Sequence, residues 1–262
     1  MQLNDLDLHN WRQYQNDITT DALWLTPHST RPKFFMPKRE LFNLIPKQDK
    51  TYHGLFIPEI PYQFITRFTK ARETVWDCFA GIGTTHYVAD FLNRKCICND
   101  LTSQKDFIIQ ADSRTFNPGT NVQLLIMHPP YWQAVHFSDK PEDGSNQPTL
   151  ESYLAWFKEI VENTIQYLDI GRFLVLVAGN IYYESEEVTL GYYLKEIIRA
   201  YGFKLKSHII KDYGETKSGN FGKAYNLNYY RQLLHFYNRY FLRLEREIFH
   251  YLNIELCFLQ FL

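Results

Sequence analysis

Residues 75–85 read V-W-D-C-F-A-G-I-G-T-T. The stretch reads as the end of a buried β-strand, a glycine turn and the first turn of a helix. Gly81 and Gly83 carry no side chain, so the backbone there can turn tightly and a ligand can approach its N–H groups. Thr84 and Thr85 stand where the helix starts, with hydroxyls placed to cap it or to bind an anion. Such a turn suits any nucleotide-like ligand. A dinucleotide fingerprint, however, wants a third glycine at position 86, and that position is His86.

A second stretch, residues 122–132, reads V-Q-L-L-I-M-H-P-P-Y-W. Leu124 to Met127 is an apolar run suited to a central parallel strand. Pro129 and Pro130 stop it at its C-terminal end, where open α/β sheets place ligands. Tyr131 and Trp132 are therefore expected at the mouth of a cleft rather than in the core.

Between and after these stretches, strand-like and helix-like segments alternate. Residues 84–93 suit a short helix and Lys95 to Asn99 a strand ending in Asp100. An acid at that place can accept both hydroxyls of a ribose, or can cap a turn. Leu154, Phe157, Ile160, Val161, Ile165 and Leu168 recur at helical spacing, and R-F-L-V-L-V-A from Arg172 to Ala178 is the clearest buried strand. Residues 190–201 suit a helix, and Phe203 to Ile210 a strand. Gln133 to Thr149 is polar and rich in turn residues, as a mobile loop beside a site would be. Lys211 to Tyr225, with three lysines among which are Lys211 and Lys217, reads either as a loop meeting phosphates or as a solvated hairpin. Residues 226–262 are aromatic-rich and suit either a long helix or a final strand.

The form D-x-F-x-G-x-G-T-T resembles the S-adenosylmethionine-binding motif of the DNA amino-methyltransferases, with Cys78 where that family usually has proline. The segment H-P-P-Y resembles the same family's (Asp/Asn/Ser)-Pro-Pro-(Tyr/Phe/Trp) signature, with His128 in the first position. Residues 52–70, with Phe56, resemble the region that in this family wraps the methionine end of the cofactor. The resemblance spans roughly residues 52–211, and residues 244–252 weakly resemble the family's last strand, leaving an apolar tail that does not fit. It implies a Rossmann-like α/β methyltransferase fold, with a mostly parallel central sheet and helices on both faces. An N-terminal arm over 1–50 would precede a catalytic domain over 51–262. S-adenosylmethionine would be held by Phe56, Asp77, Phe79, Gly81, Gly83, Thr84, Thr85 and Asp100, with Asp112 either accepting from the adenine amino group or capping a turn. His128, Pro129, Pro130 and Tyr131 would do the chemistry, and Tyr131, Trp132, Lys211 and Lys217 would meet the nucleic acid.

The residue types fit that chemistry. An exocyclic amino group is a poor nucleophile because its lone pair is delocalised into the ring. It improves when a side chain and a proline-fixed carbonyl accept hydrogen bonds from it. An aromatic ring then stacks on the flipped base, a contact worth roughly 1–3 kcal/mol. Histidine accepts through a ring nitrogen only while neutral, so activity is expected to fall when His128 protonates. The resemblance implies double-stranded DNA as substrate, adenine N6 ahead of cytosine N4, and a second copy or a separate recognition subunit as further partners. An RNA or protein amino-methyltransferase, or a non-catalytic subunit of the same fold, are the rival readings; a nicotinamide-binding module is disfavoured by His86.

Composition is compatible with all of this. A chain of 262 residues that is 45% hydrophobic can bury a large core. It has no run of about 18 apolar residues, so no membrane span is expected, and its first residues lack a secretory pattern. Cys78, Cys96, Cys98 and Cys257 show no C-x-x-C pair and no zinc spacing, so reduced thiols in the cytoplasm and no metal are expected. Net charge is −1, but residues 28–50 carry +4, residues 139–187 carry −7 and residues 195–231 carry +5. Two basic segments on one face would make a polyanion-binding surface; ordinary solvated charge fits as well.

Overall fold

The computed structural model describes residues 23–25, 43–46, 57–103, 105–184, 186–212 and 254–260. Its strands are β1 (Leu23–Leu25), β2 (Thr74–Asp77), β3 (Lys95–Asp100), β4 (Ile109–Gln110), β5 (Val122–Met127), β6 (Leu168–Gly179), β7 (Ile181–Tyr183), β8 (Glu186–Val188), β9 (Lys204–Asp212) and β10 (Ile254–Gln260). The helices are α1 (Glu59–Phe68), α2 (Thr84–Phe91), α3 (Leu150–Thr164) and α4 (Leu190–Ala200). Eight strands form one sheet in the order β1-β9-β10-β6-β5-β2-β3-β4, with β7 and β8 a separate hairpin. Every pairing in the main sheet is parallel except those of β10, which runs antiparallel to both β6 and β9.

The central strands are apolar at nearly every position because both of their faces are covered. Side chains alternate across a strand, and they divide between two clusters accordingly. Trp76, Leu125, Met127, Leu174, Leu176 and Ala178 pack with Tyr153, Phe157 and Ile160 of α3 and Leu194 and Ile198 of α4. Val75, Leu124, Ile126, Val175 and Val177 pack on the other face with Ile60, Phe64 and Ile65 of α1 and Val88 and Ala89 of α2. Helix α3 starts with a reciprocal cap: Ser152 N–H donates to Thr149 Oγ1, and Thr149 N–H to Ser152 Oγ. The switch in strand order lies between β2 and β5, where the chain turns from building outward through β3 and β4 to building through β6. This is the Rossmann-like methyltransferase arrangement that the sequence resemblance implies.

Three sequence expectations are corrected. Residues 244–252 lie outside the described residues, but the tail that does not fit the resemblance is itself a strand, Ile254–Gln260, inserted between β6 and β9 with Leu256 opposite both Val177 and Ile209. Lys211 does not open a loop: β9 extends through it, and it stands opposite Trp24 of β1 and Ile254 of β10. The segment 133–149 is folded, with short 3-10 turns at Trp132–Ala134 and Gly144–Asn146 and with Asp143 and Ser145 buried. The Trp132 and Trp156 indoles donate to the Gln147 and Glu142 carbonyls at 2.7 and 2.8 Å, fastening it to the body. Part of the N-terminal arm joins the sheet as β1, parallel to β9. Among the described residues, no helix is long and apolar enough to cross a membrane.

Because β10 supplies the hydrogen-bond partners of both β6 and β9, removing residues 254–262 exposes two strand edges inside the sheet. We expect the truncated chain to lose its cooperative thermal transition, measured by circular dichroism. A truncated chain that melts like the full one contradicts this.

Candidate active site

The two motif loops leave neighbouring strands at one level. Asp77 of β2 stands opposite Ile126 of β5, and Cys78 N–H donates to the Ile126 carbonyl at 3.4 Å. From that pair the chain diverges into the glycine turn on one side and His128–Tyr131 on the other, at the C-terminal ends of adjacent strands. Open α/β sheets bind ligands in that crevice, at the switch in strand order.

Gly81 and Gly83 both adopt positive φ, 53° and 86°, the left-handed region that side chains disfavour. Gly83 has a second reason to be glycine, since a Cβ there would lie 2.4 Å from the Phe107 ring. Asp77 holds the turn from beneath. Its carboxylate is fully buried and accepts from Phe79 N–H at 3.0 Å and from the Thr85 hydroxyl in a very short bond. Burial outweighs these bonds and pushes its pKa up to about 6. Asp77 and Thr85 thus position the turn and present no surface to a ligand, contrary to their expected part in cofactor contact. Thr84 is also buried, so only its backbone N–H is left for that part.

Asp100 faces the turn from the end of β3. Its Oδ2 accepts from Gly81 N–H at 2.8 Å, and its Oδ1 accepts from Thr102 N–H at 2.9 Å and Thr102 Oγ1 at 3.2 Å. Of the two sequence readings of this acid, turn capping is the one the structure shows. It caps a turn, and an ionised carboxylate has about four acceptor positions, so capacity remains for a diol beside the half-exposed Gly81 and Phe79. A partly exposed carboxylate flanking a glycine turn offers the acceptors that the hydroxyls of a nucleoside ribose need, and S-adenosylmethionine fits it. Asp112 is different. Its carboxylate takes Arg114 N–H at 2.9 Å and a two-pronged guanidinium contact, with Nη2 at 2.7 Å. The structure shows Asp112 capping the turn.

On the β5 side, His128 Nε2 and the Tyr131 hydroxyl are 2.9 Å apart, within hydrogen-bond reach. The Tyr131 ring lies against Gly179 at the end of β6, where a Cβ would come within 2.8 Å of it. The Pro130 carbonyl is held by Trp132 N–H at 2.9 Å and the Tyr153 hydroxyl at 2.7 Å. Trp132 is 3% exposed and packs against Tyr183, so it belongs to the core and not to the cleft mouth. The H-P-P-Y signature predicts exposure for its aromatic residue, and Tyr131 alone has it. Phe56 and Lys217 lie outside the described residues.

Sequence reasoning missed the groups that brace these loops. Asn99 is fully buried; its Oδ1 accepts from Trp76 Nε1 at 2.8 Å and its Nδ2 donates to Ser113 Oγ at 2.8 Å. Ser113 in turn donates to the Cys78 carbonyl at 2.5 Å, so one polar chain ties β2, β3 and the loop after β4 under the glycine turn. Tyr153, whose phenol burial pushes well above its ordinary pKa, braces Pro130. Tyr153 offers a faint signal, a tyrosine one position off the apolar stripe of α3; Asn99 offers none. An open depression between Asn121, Glu162, Asp169, Arg172 and Tyr201 surrounds the starts of β5 and β6 and is therefore at the wrong end of the strands.

The Asp77 carboxyl has a pKa raised above its value in an unfolded chain. The stability it gives is therefore present in full below about pH 4 and is lost as pH rises through about 6. Relative to Asp77→Asn, the wild type should lose up to about 3 kcal/mol between pH 4 and 7, read from urea unfolding at each pH. A pH-independent difference would contradict the buried, partly protonated acid.

Residues 5–108 match the model of a family described as DNA methylase, a span that includes the glycine turn and Asp100 and stops before His128. No curated protein sequence matches the chain. Among solved structures, similar folds include TrmN from Thermus thermophilus, at 14% identity and TM-score 0.49. The match covers 86% of this chain and 53% of TrmN, so the chain spans about half the length of that protein. A TehB-like SAM-dependent methyltransferase from Corynebacterium glutamicum is similar at 10% identity and TM-score 0.45, over 86% of this chain and 94% of that one. The O-methyltransferase of a trans-AT PKS multienzyme from Brevibacillus brevis, solved with S-adenosyl-L-homocysteine, is similar at 13% identity and TM-score 0.45, over 88% and 80%. Proteins of the matched family use S-adenosylmethionine. Residues 5–108, less than half of the chain, are thus similar to a family described as DNA methylase, which agrees with the resemblance that the two sequence motifs carry.

Proposed function

We propose that the protein is a DNA amino-methyltransferase that methylates the exocyclic amino group of a base swung out of the duplex, adenine N6 ahead of cytosine N4. The observation that carries this reading is the placement of the glycine turn and the His128–Tyr131 turn on paired strands, diverging from Asp77 and Ile126. A cofactor in the first and a base in the second would meet between them. Bound S-adenosylmethionine supplies an electrophilic methyl group. Gly81, Gly83 and Asp100 would hold it, with Asp100 on the ribose and Asp77 keeping the turn in shape.

The remaining work falls to His128, Pro129 and Tyr131. The His128 ring and the Pro129 carbonyl accept from the amino N–H groups, which restores lone-pair density to the nitrogen. Neutral imidazole can also take the proton that the amino group releases on methylation. Tyr131 stacks on the base, and His128 exchanges the Tyr131 hydroxyl for the incoming amino group. Pro130 keeps the turn rigid through Tyr153. His128 is neither the aspartate frequent in adenine enzymes nor the serine frequent in cytosine ones, so the labelled product decides the base.

One observation favours a second reading, a non-catalytic subunit that needs a partner: His128 and Tyr131 are hydrogen-bonded to each other. Incubation with methyl-labelled S-adenosylmethionine and unmethylated double-stranded DNA, followed by digestion to nucleosides, tests both. N6-methyladenine or N4-methylcytosine is the expected product. Intact cofactor binding with no labelled nucleoside supports the second reading, and label found only with RNA or protein overturns the DNA assignment. Tyr131→Ala should cut transfer by about 10- to 100-fold while leaving cofactor affinity unchanged. Asp100→Ala should weaken cofactor binding by about 1.5–3 kcal/mol in calorimetry, as for a charge-assisted hydrogen bond; an unchanged affinity removes Asp100 from the site.

A further inference from the structure

His86, the residue that breaks the dinucleotide fingerprint, lies beside two cysteines that sequence spacing did not mark as ligands. Cys96 and Cys98 are two apart on β3, and residues two apart on a strand point to the same face. Their sulfur atoms are 3.2 Å apart, both thiols are free, and Cys98 is 2% exposed. His86, in the first turn of α2, covers that face, and its ring is stacked on Phe107 at 4.2 Å and 18°, which fixes its direction. One ring nitrogen and two sulfurs then all lie within 4.8 Å of one another. His86 Nδ1 is buried without a well-aligned hydrogen bond, and the Cys96 thiol interacts with the same ring. A bound cation would replace that weak thiol contact with bonds to the ring nitrogen and both sulfurs.

We propose that His86, Cys96 and Cys98 bind a soft d10 metal ion, Zn2+ or Cu+, as a clip between α2 and β3. Two thiolates and an imidazole select soft ions and discriminate against Mg2+ and Ca2+. Tetrahedral Zn2+ holds its sulfurs about 3.8 Å apart, so the cysteine pair needs to open by about half an ångström. Zn2+ would also take water as a fourth ligand, whereas Cu+ is content with three. Binding forms two metal–sulfur bonds and one metal–nitrogen bond and releases the thiol protons to solvent, with no change of oxidation state. The clip would lie next to the cofactor cradle, because His86 follows Thr85 directly and Cys98 is two residues before Asp100.

The test is anaerobic titration of the reduced, full-length protein with Co2+ as a spectroscopic stand-in for Zn2+, and with Cu+ in competition with a chromogenic chelator. One equivalent of Co2+ should give a thiolate-to-cobalt charge-transfer band that Zn2+ abolishes, or one equivalent of Cu+ should be taken from the chelator. Either identifies the ion and supports the site. Cys96→Ser and Cys98→Ser should each weaken the band, and His86→Ala should lower affinity on the order of tenfold or more. Cys257→Ser should leave the band unchanged. Failure of the reduced wild-type protein to bind either ion at stoichiometric concentration overturns the proposal, as does a band that survives Cys96→Ser together with Cys98→Ser. None of these readings depends on methyl transfer, so they stand or fall apart from the proposed activity.

Discussion

A single buried carboxylate organises the site. Asp77 is fully buried, and what holds it is the Phe79 amide and the Thr85 hydroxyl. Those two bonds join the end of β2 to both the start of the turn and the first turn of α2, so the loop between has little freedom left. Desolvating an acid is unfavourable, and the raised pKa measures how far burial outweighs its hydrogen bonds. A more stable protein would place an amide or an apolar residue there. The turn is held at the expense of global stability, as expected where geometry serves a ligand.

The sheet gives that turn a neighbour. Parallel strands with both faces covered present all their C-terminal ends on one side, and the order β5-β2-β3 sets three loops side by side: H-P-P-Y, the glycine turn and Asp100. The polar chain through Asn99 and Ser113 fastens the last two from below, and Tyr153, in the same core cluster as Trp76, fastens the first. The floor of the crevice is thereby built from groups that never meet a ligand, while the half-exposed Gly81, Asp100, His128 and Tyr131 line it.

Much of this was legible in the residues. Apolar runs such as Leu124 to Met127 and Phe173 to Ala178 can satisfy their backbone and bury both faces only as central strands, and glycines at positive φ mark the turn. Three features were hidden for physical reasons. The segment I-E-L-C-F-L-Q has a charged and a polar residue and no turn signal, and its partners are remote in sequence, so nothing local marks it as an inner strand. Trp132 looks like Tyr131 in a motif, yet its indole N–H finds the Gln147 carbonyl inside the core, a partner supplied by a distant loop. The His86, Cys96 and Cys98 grouping exists only because α2 packs on β3, and a spacing of two between cysteines is not a zinc pattern until a strand turns both to one face.

The place of β10 bears on how the protein comes into being. Strands β6 and β9 are both made before residues 254–260, yet each needs that later segment as its hydrogen-bonding neighbour. While the chain is being synthesised, two strands have unpaired edges facing the same gap, the situation in which wrong pairings and aggregation begin. Completion is a long-range event with a large loop to close, which slows it relative to helix formation. The half that carries the glycine turn, β2 to β5 with α1 and α2, can assemble early on local contacts. The half around β6 and β9 must wait for its keystone, so the nascent chain gains its glycine turn before it gains a finished sheet.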